Sequence, residues 1–157
     1  MRKSLVLTAC MLCLFIVAGV LVLRAPFAAF GIGAAVDIYP ETLNLKSSGA
    51  WVTVYIELPE GYNVSDIDVT TVFLDGTIPA DSELWKIGDY DEDGVSDMMV
   101  KFDRQAVIDY IWAKLYHMGS QISDKKWEVP LTITGELFND PMISFAGSDM
   151  ITVIYVG

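Results

Sequence analysis

The hydrophobic residues of this chain follow two different patterns. From Leu5 to Leu23 the sequence has 19 consecutive residues without a charged side chain. Beyond residue 35 the hydrophobic residues form short runs, separated by Pro, Gly, Asp and Asn. The first pattern is typical of an export signal or a membrane anchor, and the second is typical of an all-β domain.

The apolar N-terminal run is long enough to cross a membrane as a hydrophobic helix. About 20 apolar residues span a bilayer, whereas the apolar region of a cleavable signal has about 7–15. This length favours an uncleaved anchor, but the small residues at 33–35 also fit a cleavage site before Val36. We therefore expect residues 1–35 to be a signal peptide or membrane anchor and residues 36–157 to be the domain. The basic residues Arg2 and Lys3 place this domain on the extracellular face, either anchored or secreted.

The segment beyond residue 35 contains seven predicted strands. The clearest alternation lies at 51–58, where Val52, Val54, Ile56 and Leu58 occupy every second position. The seven strands are Val36–Tyr39, Trp51–Leu58, Thr70–Leu74, Leu84–Gly88, Met98–Phe102, Val129–Leu137 and Met150–Val156. Seven short strands of this kind predict an all-β, Ig-like β-sandwich.

One segment has a helical pattern instead. Asp103 is a good N-cap residue, and after it apolar residues at 107, 110, 111, 115 and 118 recur at helical spacing. We therefore predict one helix, at Arg104–Met118, inserted into the sandwich and packed against it through this apolar stripe.

The domain is strongly acidic. The chain has 10 basic and 21 acidic residues, and three of the basic ones (Arg2, Lys3 and Arg24) but none of the acidic ones precede residue 36. Seven basic and 21 acidic side chains remain, a net charge of −14 for residues 36–157. Such a charge repels phosphate backbones, so nucleic acid is not an expected partner.

The acidic residues are densest between positions 89 and 97, which read Asp-Tyr-Asp-Glu-Asp-Gly-Val-Ser-Asp. Calcium takes six to eight oxygen ligands, and carboxylates on alternate residues of a tight loop point towards one centre. The predicted ligands of a Ca²⁺ ion are the side chains of Asp89, Asp91, Asp93 and Asp97 and the carbonyl oxygen of Val95. Gly94 permits the sharp turn that such a loop needs.

The alternative interpretation of this segment is a solvated acidic turn, because Asp and Gly are common in turns for reasons unrelated to metals. Five carboxylates in nine residues repel one another, and a divalent cation removes that repulsion, which favours the calcium site. The loop differs from an EF-hand, because Val100 stands where the bidentate Glu would be. We expect the Glu92 side chain to point outward.

Several segments resemble a secreted β-sandwich module of archaeal and bacterial surface proteins, and the resemblance covers nearly all of residues 36–157. They are Val36–Ser47, Tyr55–Tyr62, Val64–Asp68, Gly88–Asp97, Val100–Arg104 and Phe145–Asp149. The resemblance implies a structural calcium site, similar to the loops of dockerins and integrin-type propellers, and an extracellular location. The segment from Gln105 to Lys126 departs from the module and indicates an added helix.

Few residues support an enzymatic function. His117 is the only histidine, both cysteines (Cys10 and Cys13) lie in the apolar run, and Glu57 with Glu136 is one carboxylate pair among many. We therefore expect a cell-surface structural or adhesive module, anchored in the membrane by its N-terminal helix, that contacts a surface protein, carbohydrate or another copy of itself. The alternatives are a filament subunit assembled by strand addition and, less favoured, a secreted hydrolase.

Overall fold

Two β-sheets and one α-helix make up the part of the chain that the computed structural model describes, namely residues 31–117, 125–138 and 140–156. The strands are β1 (Gly31–Gly33), β2 (Ala35–Tyr39), β3 (Thr42–Asn44), β4 (Trp51–Glu57), β5 (Ile67–Leu74), β6 (Ile78–Pro79), β7 (Lys86–Gly88), β8 (Asp97–Asp103), β9 (Lys126–Leu137) and β10 (Asp140–Ile154). A short 3-10 helix at Val64–Asp66 precedes β5, and helix α1 (Arg104–His117) follows β8. The predicted N-terminal helix lies outside the described residues.

The strands form one larger and one smaller sheet. In the first, which we term sheet A, the order is β1-β10-β9-β5-β6, and β3 also pairs with β10. In the second, sheet B, the order is β2-β4-β8-β7. Most neighbouring strands are antiparallel, but β1 and β3 both run parallel to β10. The two sheets enclose one hydrophobic core, so the predicted β-sandwich with one helix is confirmed at this level.

Alternation of buried and exposed residues explains how the sheets pack. In β4, Val52, Val54 and Ile56 are fully buried, while the residues between them are half exposed. The same alternation in β8 buries Met98, Val100 and Phe102. Because successive side chains of a strand point to opposite faces, the residues between these face outward from sheet B. The outer face of sheet B carries the candidate site.

The number and lengths of the strands differ from the prediction. The described residues contain ten strands rather than about seven, because β1, β3 and β6 have only two or three residues each, too few to show alternation. Strand β10 begins at Asp140 rather than Met150, and it runs through Gly147, Ser148 and Asp149, which are turn-type residues in sequence. Strand β5 begins earlier than predicted, at Ile67, and β7 later, at Lys86.

Strand β1 lies in the segment that the sequence assigned to the signal or anchor. It pairs with β10, and at Ala34 the chain then crosses from sheet A to β2 of sheet B. This crossing passes so close to Gly147 that a Cβ atom there would lie 2.4 Å from the carbonyl oxygen of Ala34. Residues 31–35 are therefore part of the folded sandwich.

Helix α1 confirms the prediction to within one residue, since it spans Arg104–His117; Met118 lies outside the described residues. The Asp103 carboxylate caps the helix by accepting a hydrogen bond of 2.8 Å from the backbone N–H of Ala106. On its inner side Ile111 is fully buried, and Lys114 Nζ donates at 2.7 Å to the carboxylate of Asp75, in the turn that follows β5 of sheet A. The helix thus joins the ends of both sheets.

The helix and the acidic loop lie at opposite ends of β8. The loop leads into β8 at Asp97, and the helix begins directly after Asp103. At the usual rise per strand residue, these two ends are about 20 Å apart. Contacts of the helix therefore do not reach the candidate site.

Candidate metal centre

The acidic loop connects β7 to β8 and folds back over the outer face of sheet B. Asp89 directly follows β7, and Asp97 is the first residue of β8. Between them Tyr90 turns its ring over Gly88 and against Tyr55 of β4, with the two ring centroids 4.9 Å apart. A Cβ atom at position 88 would lie 3.1 Å from this ring, so the ring packs tightly on the glycine. The loop is therefore held against the sheet.

Backbone N–H groups of the loop donate hydrogen bonds to its own carboxylates. Asp89 accepts from the N–H groups of Asp93 (3.1 Å) and Gly94 (3.0 Å), and Asp93 accepts from that of Val95 (2.7 Å). Asp97 accepts from the N–H of Tyr90 at 2.9 Å. These bonds close the loop into a tight turn whose carboxylates face one another.

Two residues in the loop have a left-handed backbone conformation. Gly94 has φ of 93°, a conformation that costs glycine little and that confirms the predicted sharp turn. Glu92 has φ of 64°, which is uncommon for a residue with a side chain. Glu92 belongs to neither of the carboxylate groups described next, in agreement with its predicted outward orientation.

The structure brings the four predicted aspartates together in two overlapping groups. In the first, ligand oxygens of Asp89, Asp91 and Asp97 lie within 4.8 Å of one another. In the second, the same limit holds for Asp91, Asp93 and Glu57. Asp91 belongs to both groups, so the five carboxylates form one continuous cluster, and either group of three could hold a metal ion.

Glu57 is the residue that sequence reasoning missed as a metal ligand. It lies at the end of β4, where Ile56 pairs with Met98 of β8. One residue further along both strands, Glu57 and Asp97 stand side by side on the outer face of sheet B. The alternation in β4 placed Glu57 outward, but its proximity to the loop depends on the pairing of strands about 40 residues apart in sequence. Glu136, its alternative carboxylate partner, lies in β9 of sheet A.

Crowding and burial disfavour the charged forms of two of these carboxylates. Asp97 is only 6% exposed, and this burial raises its pKa. The hydrogen bond from the Tyr90 N–H lowers the pKa of Asp97, while the negative charges of Asp91, Asp93 and Asp89 raise it further. The pKa of Glu57 is raised by loss of solvent and then by Asp93, Asp97 and Asp91. A bound cation would relieve both effects.

A cleft of about 280 Å³ opens beside the cluster. Its lining residues are Ala35, Val36, Asp37, Tyr55, Glu57, Tyr90, Asp91 and Asp97. Four of them are acidic and none is basic. The cleft therefore combines carboxylates with the paired rings of Tyr55 and Tyr90.

The remaining candidate residues lie elsewhere or stay predictions. His117 is exposed at the last position of helix α1. The Val95 side chain is exposed and its N–H bonds to Asp93, while its carbonyl as a calcium ligand stays a prediction.

Comparison with known proteins identifies no relative of this chain. No protein-family model matches it, and neither a curated protein nor a solved structure matches it. Within residues 31–117, 125–138 and 140–156, none of the helices has the length and apolar character required to span a membrane. The predicted span at 5–23 lies outside those ranges.

Proposed function

We propose that this protein is an exported, cell-surface module that binds calcium in the 89–97 loop, and that the ion stabilises its fold. The observation that carries the proposal is the cluster of five carboxylates from Glu57, Asp89, Asp91, Asp93 and Asp97. Each lies near at least two others, and the described residues that line the adjoining cleft include no basic side chain.

The chemistry of the cluster favours calcium over other metals. All five side chains offer carboxylate oxygens, and the described part of the chain has no histidine or cysteine near them to attract zinc or copper. Calcium accepts six to eight oxygens in flexible geometry, whereas magnesium requires a near-ideal octahedron and retains waters. A cluster contributed by a loop and a separate strand suits the larger and more tolerant ion.

An ion in this position would connect elements that are distant in sequence. Glu57 ends β4, and the four aspartates belong to the connection between β7 and β8. At the 4.8 Å separation within each group, two carboxylates repel by about 1 kcal/mol in a water-like dielectric. The ion replaces this repulsion with attraction, so it fastens the short edge strand β7 and its loop to the sheet.

A structural or adhesive role suits this arrangement better than catalysis does. The cluster is a set of mutually repelling carboxylates, and among the residues that the structure describes no cysteine nucleophile or histidine base belongs to it. We further propose an Ig-like sandwich, which the parallel pairing of β1 with the last strand supports. Export and anchoring rest on the apolar run at 5–23. Retention in the membrane fraction after a high-salt wash would test that part.

Calcium titration of the full chain in detergent tests the proposal directly. We expect heat of binding with calcium, a much weaker response to magnesium, and a higher melting temperature in calcium than in chelator. At millimolar calcium and a dissociation constant of about 10⁻⁵ M, the ion contributes about 2.7 kcal/mol. An identical melting curve with and without chelator would show that the loop is a plain acidic turn.

A further inference from the structure

The cleft beside the acidic loop is lined by side chains that could contact an organic ligand. Tyr90 is 42% exposed, and its ring meets that of Tyr55 at an interplanar angle of 48°. Pairing of β2 with β4 places Asp37 directly opposite Tyr55 on the outer face of sheet B. Two aromatic rings and one carboxylate outside the metal cluster therefore border the same space.

The composition of the cleft restricts the class of ligand that it can accept. A wholly apolar ligand would remove water from Asp37 without giving it a hydrogen bond, which is unfavourable. An anionic ligand would meet the negative charge of the domain, and the acidic lining contains no basic residue to receive it. An organic cation would compete with calcium for Glu57 and Asp91.

A neutral sugar meets these conditions. Its C–H faces pack on aromatic rings, and its hydroxyl groups donate hydrogen bonds to carboxylates. The volume of about 280 Å³ and the open shape accommodate a small part of a longer chain rather than a buried ligand. We propose that this cleft binds one sugar unit of a neutral glycan, with Tyr55 and Tyr90 contacting the ring and Asp37 accepting its hydroxyl groups.

The inference rests on the proposed calcium function, because the bound ion would offset part of the negative charge of Glu57, Asp91 and Asp97 along one side of the cleft. Without the ion these carboxylates would be strongly hydrated and would attract cations. Calcium should therefore increase the affinity for the sugar, and by linkage the sugar should increase the affinity for calcium.

Titration of the full chain with defined trisaccharides tests the proposal. The probes are maltotriose, mannotriose and N-acetylated chitotriose, with trilysine and trigalacturonic acid as charged comparisons. The detergent must be free of sugar, because alkyl glycosides would compete for the cleft. We expect at least one neutral trisaccharide to bind in calcium, and neither charged probe to bind.

Variants assign the binding to the cleft. Tyr90→Ala and Asp37→Asn should each weaken trisaccharide binding by about tenfold. Tyr116→Ala removes a tyrosine that is 82% exposed on helix α1, and it should leave binding unchanged. The calcium affinity of each variant is measured separately, so that loss of the metal is distinguished from loss of the sugar contact.

Each combination of results has one meaning. Calcium binding without binding of any neutral trisaccharide would overturn the sugar proposal and leave the proposed function standing. Sugar binding without calcium binding would overturn the proposed function and the dependence of the cleft on the ion, and it would leave only the sugar contacts standing. Binding of trilysine in preference to the trisaccharides, or equal losses in Tyr116→Ala and Tyr90→Ala, would also overturn the assignment of the cleft to a neutral glycan.

Discussion

Replacing Glu57 by glutamine should have opposite effects on the calcium-free and calcium-loaded protein. Glutamine keeps the size of the side chain and an oxygen atom but removes the charge. In the calcium-free protein that charge lies close to Asp91 and Asp93 and has no counter-ion in the cluster. In the calcium-loaded protein the same charge would attract the ion, together with Asp91 and Asp93.

The size of both effects follows from the geometry. Repulsion of Glu57 by the exposed Asp91 and Asp93 at 4.8 Å or less, reduced by solvent screening, is about 1 kcal/mol in total. Glu57→Gln should therefore raise the melting temperature by a few degrees in chelator. If loss of one charged ligand weakens calcium binding about tenfold, the stabilisation by millimolar calcium falls from about 2.7 to about 1.4 kcal/mol.

Melting curves recorded in chelator and in calcium, for three proteins, provide the assay. They are the unchanged chain, Glu57→Gln and the control Glu60→Gln, which removes an exposed glutamate three residues away and outside the cluster. The calcium-induced rise in melting temperature should be about halved in Glu57→Gln and unchanged in Glu60→Gln. Equal rises in all three proteins, or a lower melting temperature of Glu57→Gln in chelator, would refute the assignment of Glu57 to the site.

Three further predictions test the loop, its protonation and the helix. Asp93→Ala should weaken calcium binding about tenfold or more, whereas Glu92→Ala should leave it nearly unchanged; equal losses in calorimetry would show that the ligands are wrongly assigned. The folded state raises the pKa values of Glu57 and Asp97. The stabilisation that these two groups give the calcium-free protein is therefore complete below their unfolded pKa values of about 4, and it is lost as the pH rises through their folded pKa values. Acid should therefore stabilise the chain in metal-stripped buffer and destabilise it in calcium, where protons displace the ion; melting curves that shift in the same direction in both buffers would contradict this. Asp75 has φ of 47°, a backbone conformation that asparagine tolerates. Asp75→Asn should lower the free energy of unfolding by denaturant by about 2 kcal/mol and leave calcium affinity unchanged. A change in calcium affinity would contradict the separation of helix and site.

Local sequence patterns were sufficient for the parts of the fold that depend on near neighbours. The buried face of β4 and helix α1 with its Asp103 cap are examples, because alternation, helical spacing and capping all act within a few residues. The acidic loop is another, since its aspartates and Gly94 lie within nine consecutive positions. Each of these features could be predicted without knowing how the strands pair.

Features that depend on strand pairing could not be predicted in this way. Glu57 reaches the loop only through the register of β4 with β8, and β1 is recognisable only from its pairing with β10. Gly147 illustrates the same point: in sequence it resembles a turn residue, but in the fold it makes room for the crossing of the chain at Ala34. The missing information is the pairing of distant segments, which hydrophobic periodicity does not contain.

The bonding within the loop bears on the contribution that the proposed calcium ion would make. The N–H groups of Gly94, Val95 and Tyr90 donate to loop carboxylates, so hydrogen bonds within the protein itself hold much of the turn. The core between the sheets is continuous and does not include the loop. An ion that enters such a site loses little free energy in ordering the chain, and most of its binding energy goes into relieving repulsion among the carboxylates. Calcium should therefore strengthen an existing fold, in contrast to small metal domains that fold only when the metal is bound.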